Sequence, residues 1–70
     1  MIHTDHQPFV ELWRRGTESI RIDRYEWDAE HFNCEVWYHD SAINLWQPVA
    51  FVIDWADAVE AATREARRRA

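Results

Sequence analysis

The feature that most constrains this chain is the alternation between His31 and His39. Phe32, Cys34, Val36 and Tyr38 alternate there with His31, Asn33, Glu35, Trp37 and His39. A period of two belongs to a strand with one buried face. The first set therefore faces a core and the second faces outward, with Trp37 as the exposed aromatic. Strand phase makes Cys34 a core residue, and buried cysteines behave as small, inert hydrophobes.

The preceding segment, about Glu18 to Trp27, reads as the other arm of a β-hairpin, turning at Asp28–Ala29–Glu30. Ile20 and Ile22 mark one face and Tyr25 and Trp27 the other, so a bulge near Asp23–Arg24 is expected to bring all four to the core side. A third strand, roughly Leu45 to Ile53, is apolar on both faces, which is the pattern of a strand buried on both sides. Pro48 has no N–H to donate and places its part of that strand at an edge, with a break there and regular strand after it.

Helices are expected at both ends. Pro8 suits a first turn, with Thr4 or Asp5 as cap. Phe9, Leu12 and Trp13 fall at i, i+3, i+4; Arg14 and Arg15 suit a last turn, and Gly16 a C′ position. This short helix must dock through Phe9 and Trp13. At the other end Asp54 caps a helix, with Asp57 three residues on. Trp55, Val59, Ala62 and Ala66 form its apolar stripe with Ala58 beside it, and Glu60–Arg64 and Glu65–Arg69 are i, i+4 pairs. The expected fold is α+β in the order α-β-β-β-α, a three-stranded antiparallel sheet with helices packed on one face. Residues 1–70 form a single compact domain, with 1–7 and 67–70 frayed.

A domain this small has a marginal core, and five tryptophans, three phenylalanines and two tyrosines are its answer. One cysteine excludes an internal disulfide and fits a reducing compartment. The opening MIHTDHQPF has no signal-peptide pattern, and Val49 to Ile53 is far too short to span a bilayer. The expectation is a soluble cytoplasmic protein without a membrane partner.

Charge is unevenly placed. Between Glu18 and Asp40, seven acids (Glu18, Asp23, Glu26, Asp28, Glu30, Glu35, Asp40) face Arg21 and Arg24. That imbalance equals the formal net charge of −5, because the segments on either side each sum to zero. No catalytic, phosphate-binding or zinc motif occurs. His3 and His6 share an ion with Asp5 only if that segment is helical. His31 and His39 stand about 26 Å apart on one strand, at ~3.3 Å per residue. No metal, cofactor or enzymatic activity is expected.

An α-β-β-β-α domain of this length, with the alanine-rich last helix DAVEAATREA, resembles the double-stranded RNA-binding domain. That family grips phosphate with lysines at the start of the last helix, where this chain has Asp54, Trp55, Ala56 and Asp57. The resemblance implies a nucleic-acid-binding regulator, using Arg64, Arg67, Arg68 and Arg69. Basic surfaces of that kind usually accompany net positive charge, and this chain is net negative.

In size, acidity and lack of catalytic motifs the chain is also similar to small phage-encoded inhibitors of the anti-CRISPR type. That resemblance implies a DNA mimic, presenting carboxylates to a basic surface of a nucleic-acid-binding host protein such as a CRISPR effector. The leading expectation is accordingly a non-enzymatic protein-interaction module. Its partner-binding residues are Asp23, Glu26, Asp28, Glu30, Glu35 and Trp37, since clustered charge steers basic partners and tryptophan anchors them. A third reading is a homodimer paired through an exposed strand edge.

Overall fold

The computed structural model describes residues 9–26 and 32–70, and of Phe9, Tyr25, Glu26 and Phe32 the backbone alone. Five elements follow in order: β1 (Phe9–Arg15), β2 (Glu18–Glu26), β3 (Phe32–Asp40), β4 (Leu45–Val52) and α1 (Trp55–Arg69). The strands form one antiparallel sheet in the order β1-β2-β3-β4, and α1 packs across one face of it. The class is α+β, with four strands in place of the expected three and one C-terminal helix. The expected cap residues Thr4 and Asp5, together with residues 1–7, lie outside the described residues.

The segment expected to be the N-terminal helix is β1, and the reason is a bulge. Glu11 pairs with Arg21 and Trp13 with Ile20, so Leu12 is an extra residue on β1. Val10 and Trp13, opposite the buried Ile22 and Ile20, therefore come three apart instead of two. The stripe read as helical is no single face: Phe9 pairs with Asp23, Leu12 is the bulge residue, and Trp13 stands opposite Ile20. Gly16 is ambiguous: its φ of 61° suits a helix C′ position or, as here, the first central residue of a two-residue hairpin turn.

Pairing between β2 and β3 is continuous from Glu18↔Asp40 to Glu26↔Phe32, so the bulge expected near Asp23–Arg24 is absent. The second bulge lies on β4, where Val36 pairs with Ala50 and Trp37 with Pro48. β4 is an edge strand, as Pro48 requires, and it runs unbroken through that proline. The expected burial on both faces is not found, because an edge strand reaches past its cover: Leu45, Trp46, Phe51 and Ile53 are all exposed.

The core consists of Ile20, Ile22, Cys34, Val36 and Tyr38 from the central hairpin against Ala58 and Ala62 of α1. The alternation in β3 therefore places Cys34, Val36 and Tyr38 inside, as its period predicts. Burial holds the Cys34 thiol above its usual pKa. The helical face in contact is Ala58, Ala62 and Glu65, which are buried. Trp55, expected on that stripe, is 37% exposed, because contact begins one turn later at Ala58. Asp54 occupies the N-cap position, but its side chain makes no capping hydrogen bond.

Glu65 is buried and paired with two arginines, of which Arg68 is exposed. Arg68 donates from Nε and Nη2 to its two oxygens at 3.2 and 3.0 Å, and Arg69 Nε donates to Oε2 at 2.7 Å. The Arg69 guanidinium also lies 3.6 Å from the centre of the Tyr38 ring. Arg15 Nη1 donates to the Arg69 carbonyl at 2.6 Å, capping the C-terminus of α1 in place of the short helix it was expected to end. Residues 67–69 are the last of α1, and Arg69 contacts the sheet through Arg15 and Tyr38.

Candidate functional site

The sheet face away from α1 carries the unusual chemistry. On β2 and β3 the residues out of phase with the core are Arg21 and Asp23, Glu35 and Trp37, and His39. The β4 bulge resets the phase of that strand. Trp46 (opposite His39), Pro48 (opposite Trp37) and Phe51 (opposite Glu35) consequently share this open face.

The aromatic groups meet there. Trp37 and Trp46 stand edge to face, with centroids 6.2 Å apart and planes at 86°, and Phe51 lies 5.7 Å from Trp37. His39 stacks on Trp46 at 4.0 Å, and its Nε2 is 3.3 Å from Asn44 Oδ1. Asn44 reaches it from a turn residue with φ of 52°. This stacking overturns the expectation that His39 is exposed: it is on the open face yet buried beneath Trp46. Trp46 and Phe51 themselves remain 42% and 61% exposed.

Beside this patch Asp23 and Glu35 are direct cross-strand partners. Like charges directly opposite one another are destabilising. Trp37 Nε1 donates to Glu35 Oε1 at 3.1 Å, fixing that carboxylate against the indole. Burial raises the Asp23 pKa, the neighbouring Glu35 raises it further, and Arg21 opposes both without cancelling them. Arg21 is shared: its Nε donates to Ser19 Oγ at 3.1 Å and lies 3.9 Å from Glu11, and its guanidinium sits 5.5 Å from the Trp46 ring centre. Asp23, Glu35, Trp37 and Trp46 line a shallow, open cleft of about 210 Å³.

Of the six residues expected to bind a partner, the structure brings Asp23, Glu35 and Trp37 together. Asp28 and Glu30 lie outside the described residues; Glu26 pairs its backbone with Phe32, and its side chain is likewise outside them. The acids at the other end of the hairpin are engaged locally. Glu18 pairs with Arg15, and Asp40 accepts from Thr17 Oγ1 and the Ala42 amide. Sequence reasoning missed Trp46 and Phe51, five residues apart, because only a bulge puts them on one face. Pro48 between them was the available signal.

Three of the four arginines of the alternative nucleic-acid reading pair with two glutamates of the same helix. Arg64 pairs with Glu60 at 3.1 Å, and Arg68 and Arg69 pair with Glu65. Among the described residues no group of three or more His, Cys, Asp or Glu side chains is placed to hold a metal ion. No described helix is long and apolar enough to cross a membrane. No protein-family model, curated protein or solved structure matches the chain.

Proposed function

We propose that this protein is a non-enzymatic interaction module that docks the open face of its sheet onto a basic surface of a larger protein. The observation that carries this reading is the pairing of Asp23 with Glu35 beside exposed Trp46 and Phe51. Opposed carboxylates cost stability in the free protein, and a cationic partner relieves that cost. Acidic groups accelerate encounter with such a partner, and large aromatic side chains then slow its departure. A nucleic-acid-binding protein of the cytoplasm, phage host or otherwise, offers the required basic surface. On this reading the module inhibits by presenting carboxylates where phosphates would lie.

The test is capture of partners from bacterial lysate, identified by mass spectrometry, with three variants beside the wild type. Glu35→Arg abolishes capture, Trp37→Ala weakens it mainly through faster dissociation, and added salt weakens it because exposed charges are screened over ~8 Å at physiological ionic strength. The double change Arg64→Ala, Arg67→Ala leaves capture unchanged. Circular dichroism confirms that each variant keeps its strands and helix. Direct, salt-sensitive binding of duplex RNA by the wild type, lost with Arg64 and Arg67, would overturn the reading in favour of nucleic-acid recognition.

A further inference from the structure

We infer that the cleft formed by Asp23, Glu35, Trp37 and Trp46 is a receptor for a single arginine side chain of the partner. This rests on the reading of the open face as the partner-binding surface. Size is the first argument. At about 210 Å³ the cleft lies below the ~300–1,000 Å³ range of small-molecule pockets, and suits one inserted side chain.

Chemistry is the second. Two of the lining side chains are indoles, a group that attracts cations, and the other two are carboxylates on facing strands, which accept hydrogen bonds. A guanidinium matches both at once, being planar for stacking and forked for carboxylates. An ammonium is a compact, strongly hydrated charge that matches them less well. The chain also shows the interaction internally. Arg21 already places a guanidinium over Trp46 while remaining tied to Ser19 and Glu11, outside the lining of the cleft. Burial first and the neighbouring Glu35 second keep Asp23 harder to ionise than an ordinary aspartate despite Arg21.

Glu35 is held ready for this role. Its Oε1 accepts from Trp37 Nε1, which aligns carboxylate and indole before any ligand arrives. A preset wall of this kind lowers the ordering cost of binding.

The experiment follows the indole N–H resonances of Trp37 and Trp46 by NMR during titration of the full chain with capped Gly-Arg-Gly peptide. Capped Gly-citrulline-Gly and Gly-Lys-Gly serve as the uncharged isostere and the alternative cation. The arginine peptide shifts both resonances to saturation, and the citrulline and lysine peptides bind at least about ten-fold more weakly. The double variant Asp23→Asn, Glu35→Gln, nearly isosteric and still able to accept from Trp37, loses at least about ten-fold in arginine-peptide affinity while its backbone spectrum stays native. Equal binding of the citrulline peptide, absence of saturation, or undiminished binding by the double variant would each overturn the inference.

Failure here and failure of the docking face are separable. If Glu35→Arg loses the captured partner but the peptide does not saturate, the arginine cleft falls and the docking face stands. If the peptide saturates but Glu35→Arg and Trp37→Ala leave capture unchanged, the cleft stands and the docking face falls.

Discussion

The two faces of the central hairpin solve the same problem in opposite ways. Each brings aromatic and charged groups together. Under α1, Tyr38 meets Arg69 and the one Glu65 carboxylate is gripped by two arginines, so that buried acid has its counter-charge. On the open face Asp23 stands against Glu35, one shared arginine lies nearby, and Trp46 and Phe51 reach solvent. Under the docking reading proposed above, the open face takes its complement from a partner. A domain with a small core keeps exposed aromatic area only at a cost, which makes the open face the place to look for function.

The largest expected difference between the faces is in stability. Ile22 is fully buried against α1, and Ile22→Ala costs ~2–5 kcal/mol. In a domain whose total stability is ~5–15 kcal/mol, that is severe. Phe51→Ala, at an exposed position, stays near the ±0.5 kcal/mol typical of surface changes. Urea unfolding of both variants measures the contrast. A loss for Phe51→Ala equal to that for Ile22→Ala would make the open face a second core and remove it as a docking surface.

A smaller effect belongs to the helix end. Arg69→Ala removes the guanidinium from Tyr38 and one of the two partners of Glu65, and should lower the melting temperature by several degrees, taking ~4–8 °C per kcal/mol for a domain of this size. Arg67→Ala, two positions earlier and exposed, should change it by less than about 2 °C on the same scale. Equal melting temperatures for the two variants would mean that the C-terminal turn frays and that complementarity under α1 stops at Arg68.

Much of the completed face was legible in the sequence, and little of the open one. The β3 alternation put Cys34, Val36 and Tyr38 inside because a regular strand writes its faces at a fixed period. The edge strands are bulged, and one inserted residue shifts that period: Phe9, Leu12 and Trp13 read as one helical face, and Leu45 to Ile53 as a strand buried on both faces. Gly16 could not arbitrate, since a helix C′ position and a hairpin turn both favour its backbone conformation. Glu65 was read as an i, i+4 partner of Arg69; the ion pair exists, but only packing reveals that the carboxylate is buried. The neighbours of Asp23, Glu35 and Trp37 depend on register across two strand pairs, which no local spacing encodes.

The subtlest expected effect is of opposite sign on the two faces. Hydrogen bonds from Arg68, then from Arg69, hold the Glu65 pKa below its ordinary 4.5, against the effect of burial. A depressed folded-state value means that Glu65 contributes stability above about pH 4.5, and that the contribution is lost as pH falls through the folded value. Asp23 is shifted upward from 3.8, by burial first and by Glu35 second. Its folded form holds a proton more tightly than its unfolded form, so stability falls as pH rises from 3.8 through the raised value, and the ionised group is a standing cost at neutral pH. Glu65→Gln should therefore destabilise at pH 7 and lose that effect in acid. Asp23→Asn should stabilise at pH 7, by about 2 °C at most for a solvent-screened site, and gain nothing below pH 3.8. Melting curves of both variants at a series of pH values decide this. If Asp23→Asn destabilises at neutral pH, Arg21 already satisfies that carboxylate, and the open face has no uncompensated charge to offer a partner.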